Sequence, residues 1–396
     1  MKILHIYKDY EPVIGGIENH IKMLAEAQVR RGHRVTVLVT SLTRQTHIER
    51  RNGVLVIKAS RLAHAASTPL SMSLPFILRR LNADVAHLHF PYPVGEMAVL
   101  YACRVPRIVF TYHSDVARQA GLLQLYRPFM HRILQRADAI IATSPPYVES
   151  SAVLRRYRDK VHVVPLGTYT SLYATANPMR VASLLGEWSP DNEPLILFIG
   201  KLRYYKGVDV LLRAAPRLQR GRVLIAGGGP ERERLDALCE ELRLDDRVHF
   251  LGALSDEELL AFRHAARQSG GLFVLPATHR SEAFGTVLLE AMAAGLPVVT
   301  TELGTGTSWV NEDNVTGRVV PANNPAALAR TINDLLASPR TLAAMGAAAR
   351  TRAAQFDVSH MADGVQAIYR IIGAPIGRAS DRRSNRARKE EQETRE

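Results

Sequence analysis

Two carboxylates, Glu282 and Glu290, are the residues that first raise the question of chemistry. They flank Ala283-Phe284-Gly285-Thr286-Val287-Leu288-Leu289 and lead into Ala291-Met292-Ala293-Ala294-Gly295-Leu296-Pro297-Val298-Val299. The pattern reads as a polar loop, a helix from near Gly285 to Gly295, and a buried strand of parallel type. Two acids so close together suggest an acid–base pair. Their eight-residue separation, however, would turn them about 80° apart on a helix, and Glu282 still lies in the loop. They suit two separate tasks better, each accepting hydroxyl groups at one end of a ligand. The uncapped N–H groups of Phe284 to Val287 would add donors at the helix start. A capping acid plus a solvated helix acid is the plainer alternative.

A cationic loop offers the matching chemistry. In Phe198-Ile199-Gly200-Lys201-Leu202-Arg203-Tyr204-Tyr205-Lys206-Gly207 a strand ends, Gly200 permits close backbone approach, and Arg203 and Lys206 precede a helix. Arg supplies a planar fork, Lys a point charge, and the helix start a partial positive charge, a combination suited to a diphosphate. Two solvated surface cations are the alternative. Ala226-Gly227-Gly228-Gly229-Pro230 opens the next helix in the same way, as a tight turn or a ligand loop. His113, in Tyr112-His113-Ser114-Asp115, sits at another strand end, where a lone histidine is more often structural.

The elements that must carry these residues alternate regularly. Strands are predicted at 2–7, 35–39, 54–58, 84–88, 107–112, 138–142 and 161–164, with helices at 73–81, 94–103, 122–136 and 144–157. The opening strand, Gly15-Gly16 and a helix over Ile17, Ile21, Leu24 and Ala25 make a Rossmann-type start. It lacks a full G-x-G-x-x-G, which argues against dinucleotide binding there. A second alternation has strands at 195–199, 222–226, 247–250, 272–275 and 297–300 and helices at 207–219, 230–242, 255–266, 285–294, 324–337 and 340–353. Such α/β sheets bind ligands beyond the carboxyl ends of their strands, where His87-Leu88-His89 and Tyr112-His113-Ser114-Asp115 also fall. Residues 173–194, with three prolines, read as the approach to a linker, and a helix near 358–372 ends at Gly373. The stretch 378–396 has many charges and no apolar periodicity and is expected to lack ordered structure.

Composition narrows the function classes. With 396 residues, 46% hydrophobic and 22% charged, the chain can bury two or more cores. The two cysteines, Cys103 and Cys239, exclude a disulfide framework and a multi-cysteine zinc site and suit a cytoplasmic protein. Met1-Lys2 runs directly into Ile3-Leu4-His5-Ile6, which is no signal peptide, and no apolar run reaches the ~18 residues of a membrane span. The net charge of +13 points to an anionic partner. No nucleic-acid-binding motif is present, so phosphorylated ligands or an anionic membrane are expected rather than nucleic acid.

Taken in order, Gly15-Gly16-Ile17-Glu18, Tyr112-His113-Ser114, Gly200 to Gly207, Gly227-Gly228-Gly229-Pro230, and Glu282-Ala283-Phe284-Gly285 with Glu290 resemble the retaining GT-B glycosyltransferases of family 4. The last block matches that family's E-x7-E motif. The resemblance implies an α/β GT-B fold of two Rossmann-like domains facing a deep interdomain cleft. The first would span 1–178, completed by a returning helix at 355–372, and the donor-binding domain 190–354. It also implies a hexosyltransferase using a GDP- or UDP-linked sugar and a glycan or lipid-linked acceptor, with no metal or other cofactor.

The resemblance assigns roles residue by residue. Arg203 and Lys206 would bind the diphosphate and stabilise leaving-group charge. Glu282, with the amides of Phe284, Gly285, Thr286 and Val287, would hold the sugar hydroxyls, and Glu290 the ribose. Gly15, Gly16, Gly200 and Gly228 would admit the phosphates, the segment around Gly252 would meet the base, and His113 would contact the sugar near the reacting carbon. The blocks around 201–206 and 302–309 look similar to bacterial mannosyl- or rhamnosyltransferases of polysaccharide assembly. One departure is Tyr169, in Pro165-Leu166-Gly167-Thr168-Tyr169, where the family usually has Asp.

Two other readings of the chain remain: a GT-B enzyme of different chemistry, such as an epimerase or phosphorylase, and a non-catalytic nucleotide-sugar-binding protein. Peripheral contact with the anionic inner face of the plasma membrane is a further expectation. Arg127, Arg132 and Arg136 recur among apolar residues of 122–136, and Arg79-Arg80 follow Leu74-Pro75-Phe76-Ile77-Leu78. A packed helix with a solvated basic face is the alternative for 122–136.

Overall fold

The computed structural model describes residues 1–13, 15–65, 68–115 and 120–374. Residues 378–396 lie outside the described residues. The strands in chain order are β1 (Lys2–Ile6), β2 (Arg34–Thr40), β3 (His47–Arg51), β4 (Val54–Ala59), β5 (Ala63–Ala65), β6 (Thr68–Leu70), β7 (Val85–Phe90), β8 (Arg107–Tyr112), β9 (Ala139–Ala142) and β10 (Val161–Val163). The series continues with β11 (Leu195–Ile199), β12 (Arg222–Ala226), β13 (Val248–Gly252), β14 (Leu272–Leu275), β15 (Val298–Glu302) and β16 (Gly317–Pro321).

The helices through the first half are α1 (Gly16–Arg30), α2 (Ser73–Arg80), α3 (Pro93–Ala102), α4 (Ala120–Arg136), α5 (Pro145–Ser150), α6 (Ala152–Arg156) and α7 (Pro178–Trp188). Those of the second half are α8 (Val208–Ala214), α9 (Arg232–Glu241), α10 (Asp256–Gln268), α11 (Thr286–Ala293), α12 (Thr307–Val310), α13 (Pro325–Leu336), α14 (Pro339–Ala354) and α15 (Val358–Ile371).

One sheet has eight strands in the order β10-β9-β8-β7-β1-β2-β4-β3, and another has six in the order β13-β12-β11-β14-β15-β16. The six-stranded sheet is parallel throughout. Its strand order reverses at β11, where β12 and β14 lie on either side, so the carboxyl end of β11 is a topological switch point. Leu195-Ile196-Leu197-Phe198-Ile199 and Leu272-Phe273-Val274-Leu275 are buried end to end. That is the expected signature of strands covered by helices on both faces.

By contacts, the chain divides into two compact units. One holds residues 1–111, 124–140 and the chain from Ala362 onward; the other holds 112–123 and 141–361. In the first unit a buried polar network ties α15 to the sheet. His87 Nδ1 lies 2.6 Å from the Tyr369 hydroxyl and His87 Nε2 2.7 Å from Thr111 Oγ1. His5 Nε2 lies 2.8 Å from Gln28 Oε1 and His5 Nδ1 3.0 Å from His89 Nε2. His87 and His89, placed by the sequence at a ligand-facing strand end, are therefore core residues, 0% and 1% exposed. Burial lowers the His5 imidazole to about 4, against the hydrogen bond to Gln28.

The structure differs from the sequence reading in instructive places. Residues 178–188, read as linker, form α7. The Asn177 side chain accepts from the N–H groups of Met179 and Arg180, Pro178 occupies the first turn, and Val181 and Leu184 are buried. A proline that looks like a breaker is here a helix start. The helix expected over 144–157 is two, α5 and α6, because Ser151 leaves helical geometry and caps the second. The edge strand β3, which is antiparallel to β4, and β16 were not foreseen. Both are partly exposed strands whose side chains lack a continuous apolar run.

Candidate active site

In the second unit, the loops after β11, β12 and β13 are stitched together by their backbones. Gly200 N–H donates to Ala226 O at 2.9 Å, Leu202 N–H to Gly228 O at 2.9 Å, and Gly227 N–H to Gly252 O at 2.7 Å. Such approach demands glycine at two points. A Cβ on Gly227, whose φ is +132°, would collide with Gly200 O, and one on Gly229 would collide with Leu202 O. Gly228, by contrast, would place a Cβ in open space, as would Gly252. The predicted phosphate and base residues thus line a surface of main chain with little side-chain cover.

Residues Tyr204–Lys206 form a 3-10 turn, and Gly207, in the left-handed region at φ +69°, delivers the chain into α8. Thr278 N–H donates to Tyr205 O at 2.9 Å, fastening this turn to the segment before α11. The link sets Lys206 Nζ 2.6 Å from Glu282 Oε2, with only 13% and 9% of those side chains exposed. Burial works against the Lys206 charge, but Glu282 more than offsets it, and the net shift is upward. Lys206 is therefore a fixed cation at neutral pH. Arg203 is exposed and makes no ion pair among the described residues.

Glu282 lies in the loop, as the spacing implied. Its carbonyl accepts from Thr305 Oγ1 at 2.9 Å, and Ala283 O accepts from Gly306 N–H at 2.7 Å. Phe284 is buried, its ring 6.1 Å from that of Phe356, so only its backbone can serve a ligand. Gly285 is the N-cap of α11 at φ +74°, no side chain caps that helix, and Thr286 and Val287 are partly exposed at its start.

Glu290, on α11, pairs with a different cation. Its Oε2 accepts from Arg263 of α10, a residue only 2% exposed. Burial raises the Glu290 carboxyl above its ordinary value and Arg263 opposes the rise. The two acids thus occupy separate electrostatic settings, one against Lys206 and one against Arg263. Sequence reasoning missed Arg263. Its signal was an arginine between Phe262 and Ala266 on the buried side of an amphipathic helix, a position that requires an anionic partner.

The remaining sequence candidates are placed as follows. Gly15, extended at φ −172°, is the N-cap of α1 and Gly16 its first residue, in the first unit. His113 follows β8 and is 4% exposed; burial pushes its imidazole down to about 3, leaving it neutral. At the position of Tyr169, the anchoring carboxylate comes from elsewhere. Asp357 accepts from Thr170 N–H at 3.3 Å and Thr170 Oγ1 at 3.0 Å, and from Ser359 N–H and Oγ. Thr168 bridges to Asp357 as a strand pair. The segment is held despite the missing family acid.

The family described as Glycosyl transferases group 1 matches residues 187–352, and that described as Glycosyltransferase Family 4 matches residues 14–172. O-antigen chain mannosyltransferase C of Escherichia coli is 36% identical over 94% of this chain and 99% of its own. The chain belongs to family 4 of the glycosyltransferases. D-rhamnosyltransferase WbpZ of Pseudomonas aeruginosa is 38% identical over 89% of this chain and 91% of its own. Among solved structures, HepE from Anabaena in complex with UDP-glucose aligns with a TM-score of 0.74 at 20% identity, covering 95% of this chain and 100% of that one. The fold is accordingly that of the GT-B glycosyltransferases.

Proposed function

We propose that this enzyme transfers a mannose-like hexose from a nucleoside diphosphate, GDP- or UDP-linked, to a glycan or lipid-linked acceptor in polysaccharide or glycolipid assembly, with retention at the anomeric carbon. The observation that carries the reading is the junction of Lys206 with Glu282 beside the open backbone of Gly228 and Arg203, which has no ion pair among the described residues. A diphosphate there meets main-chain N–H groups and two cations, and a sugar meets Glu282 and the uncapped start of α11. Similarity to an O-antigen chain mannosyltransferase and a D-rhamnosyltransferase favours a mannose-like sugar and an O-antigen-type acceptor.

For the chemistry, Glu282 and Glu290 do not form the close carboxylate pair of a two-step retaining glycosidase, since each is engaged by its own cation. The bond from the anomeric carbon to the phosphate oxygen breaks while the acceptor oxygen attacks from the same face. The acceptor's proton passes to the departing phosphate oxygen, and Arg203 and Lys206 stabilise the charge that develops there. The neutral His113 imidazole would contact the sugar, and Gly15 and Gly16 the phosphates. No metal has a role in this scheme. Two measurements test it. One nucleotide from a panel of GDP, UDP, dTDP and ADP should raise the melting temperature at saturation. NMR of the product should show the donor's anomeric configuration; the opposite configuration would overturn the retaining scheme.

Peripheral membrane contact is best carried by α2 and α3. Phe76 and Met72 are 66% and 68% exposed at α2, which ends in exposed Arg79 and Arg80, and Tyr101 of α3 is 66% exposed. In α4, by contrast, Ile133 and Leu134 are core residues, and Arg136 donates to the carbonyls of Val99, Leu100 and Cys103. No helix among the described residues is long and apolar enough to cross a membrane. Phe76→Ser should reduce co-flotation with anionic vesicles; flotation that is absent in the wild type, or unchanged in the variant, removes this surface from consideration.

A further inference from the structure

Arg263 is the largest fully buried side chain of the described residues, on a helix whose other inward residues are Ala261, Phe262, His264, Ala265 and Ala266. A guanidinium in such a place is costly unless it is paired and put to use. Its partner is Glu290, whose side chain is still 25% exposed and so remains reachable by a ligand. The guanidinium also lies over the ring of Tyr173, 5.3 Å from its centroid. Tyr173 is itself fixed, because its carbonyl is 3.0 Å from His264 Nε2, the residue next to Arg263 on α10. The Tyr173 hydroxyl favours the charged carboxylate as well.

We propose that Arg263 and Tyr173 are positioning residues that hold the Glu290 carboxylate in the orientation that receives the donor's ribose hydroxyls. This rests on the reading of Glu290 as the ribose acceptor. The planar guanidinium, stacked on the Tyr173 ring, presents its Nη2 donor to Glu290 Oε2 from a fixed direction, which the rotatable ammonium of a lysine would not. The charged and titratable groups facing Glu290 are Arg263 and Asp256 of α10, Tyr173 before α7, and Lys206 of the 3-10 turn. Arg263 is the cation in direct contact with the Glu290 carboxylate and, like the Tyr173 hydroxyl, opposes the upward push of burial. Without it, Glu290 should take up a proton as pH falls and lose acceptor capacity for two hydroxyls.

The test measures donor KM and kcat, and nucleotide Kd, across about pH 6 to about pH 8. In Arg263→Gln the donor KM should rise about tenfold or more, with kcat at saturating donor within about twofold. Nucleotide affinity should weaken toward acid in Arg263→Gln and lose that slope in the Arg263→Gln, Glu290→Gln double variant. Tyr173→Phe, which removes only a hydroxyl, should raise KM a few-fold and serves as an arm less disruptive to folding. Arg263→Lys should fall between wild type and Arg263→Gln. If Glu290→Gln alone leaves nucleotide affinity unchanged, the ribose reading fails. If Glu290→Gln weakens it while Arg263→Gln and Tyr173→Phe do not, with no pH slope, the positioning proposal is overturned and the ribose reading stands.

Discussion

Replacing Lys206 by Met should separate what the Lys206–Glu282 pair does for folding from what it does for turnover. The two charges are 2.6 Å apart with little exposure, so at an effective dielectric of about 20 they attract by about 6 kcal/mol. Desolvation of both groups offsets part of this, and removing one partner leaves the other buried and uncompensated. The expected loss of stability in Lys206→Met is therefore about 3–5 kcal/mol. Replacing both, as Lys206→Met with Glu282→Gln, removes the stranded charge and should return the protein to within about 1.5 kcal/mol of wild type. The assay is denaturant unfolding followed by tryptophan fluorescence. Trp188 and Trp309 are the only two tryptophans of the chain, and both lie in the unit that contains the pair. Turnover should behave differently: if Lys206 faces the leaving diphosphate as proposed, both variants lose about 10²–10³ in kcat. A double variant as destabilised as the sum of the singles would refute the coupling. A double variant with wild-type turnover would refute the assignment of Lys206 to the diphosphate.

Three further outcomes follow from the same structure. Arg203→Ala, at an exposed side chain, should leave stability within about 0.5 kcal/mol and lower kcat about 10²–10³-fold; an unchanged kcat would remove Arg203 from the leaving group. Gly227→Ala combines φ +132° with a collision against Gly200 O, and should cost more than about 3 kcal/mol by the same fluorescence assay. Acid should destabilise the fold early. The imidazoles of His5 and His113 are lowered from 6.5 to about 4 and about 3, so below pH 6.5 the unfolded chain binds protons that the folded one refuses. Their contribution is fully present above that pH and is lost as pH falls, by about 2 kcal/mol each between pH 7 and pH 5. A flat stability profile over that interval would contradict the burial of both rings.

The sequence by itself determined the α/β alternation, the glycines that end strands at Gly200 and Gly227, and the limits of the helix between Gly285 and Gly295. These are local matters, because periodicity and the tolerance of glycine for positive φ act within a few residues. The order of motifs was enough to recognise the family. The angular argument on Glu282 and Glu290 was also legible, since it needs only the pitch of a helix. The tertiary structure alone decided which partner each acid takes. Lys206 precedes Glu282 by 76 residues and Arg263 precedes Glu290 by 27, and no local rule selects those pairs. The first follows from strand order, because the parallel sheet β12-β11-β14-β15 brings the loop after β11 beside the segment after β14. Likewise, His87 and His89 looked ligand-facing by position but became core, because α15 returns Tyr369 to His87 from far along the chain. Long-range closure of this kind fixes charge pairing and burial, and hence which of several polar residues at a strand end stays available for chemistry.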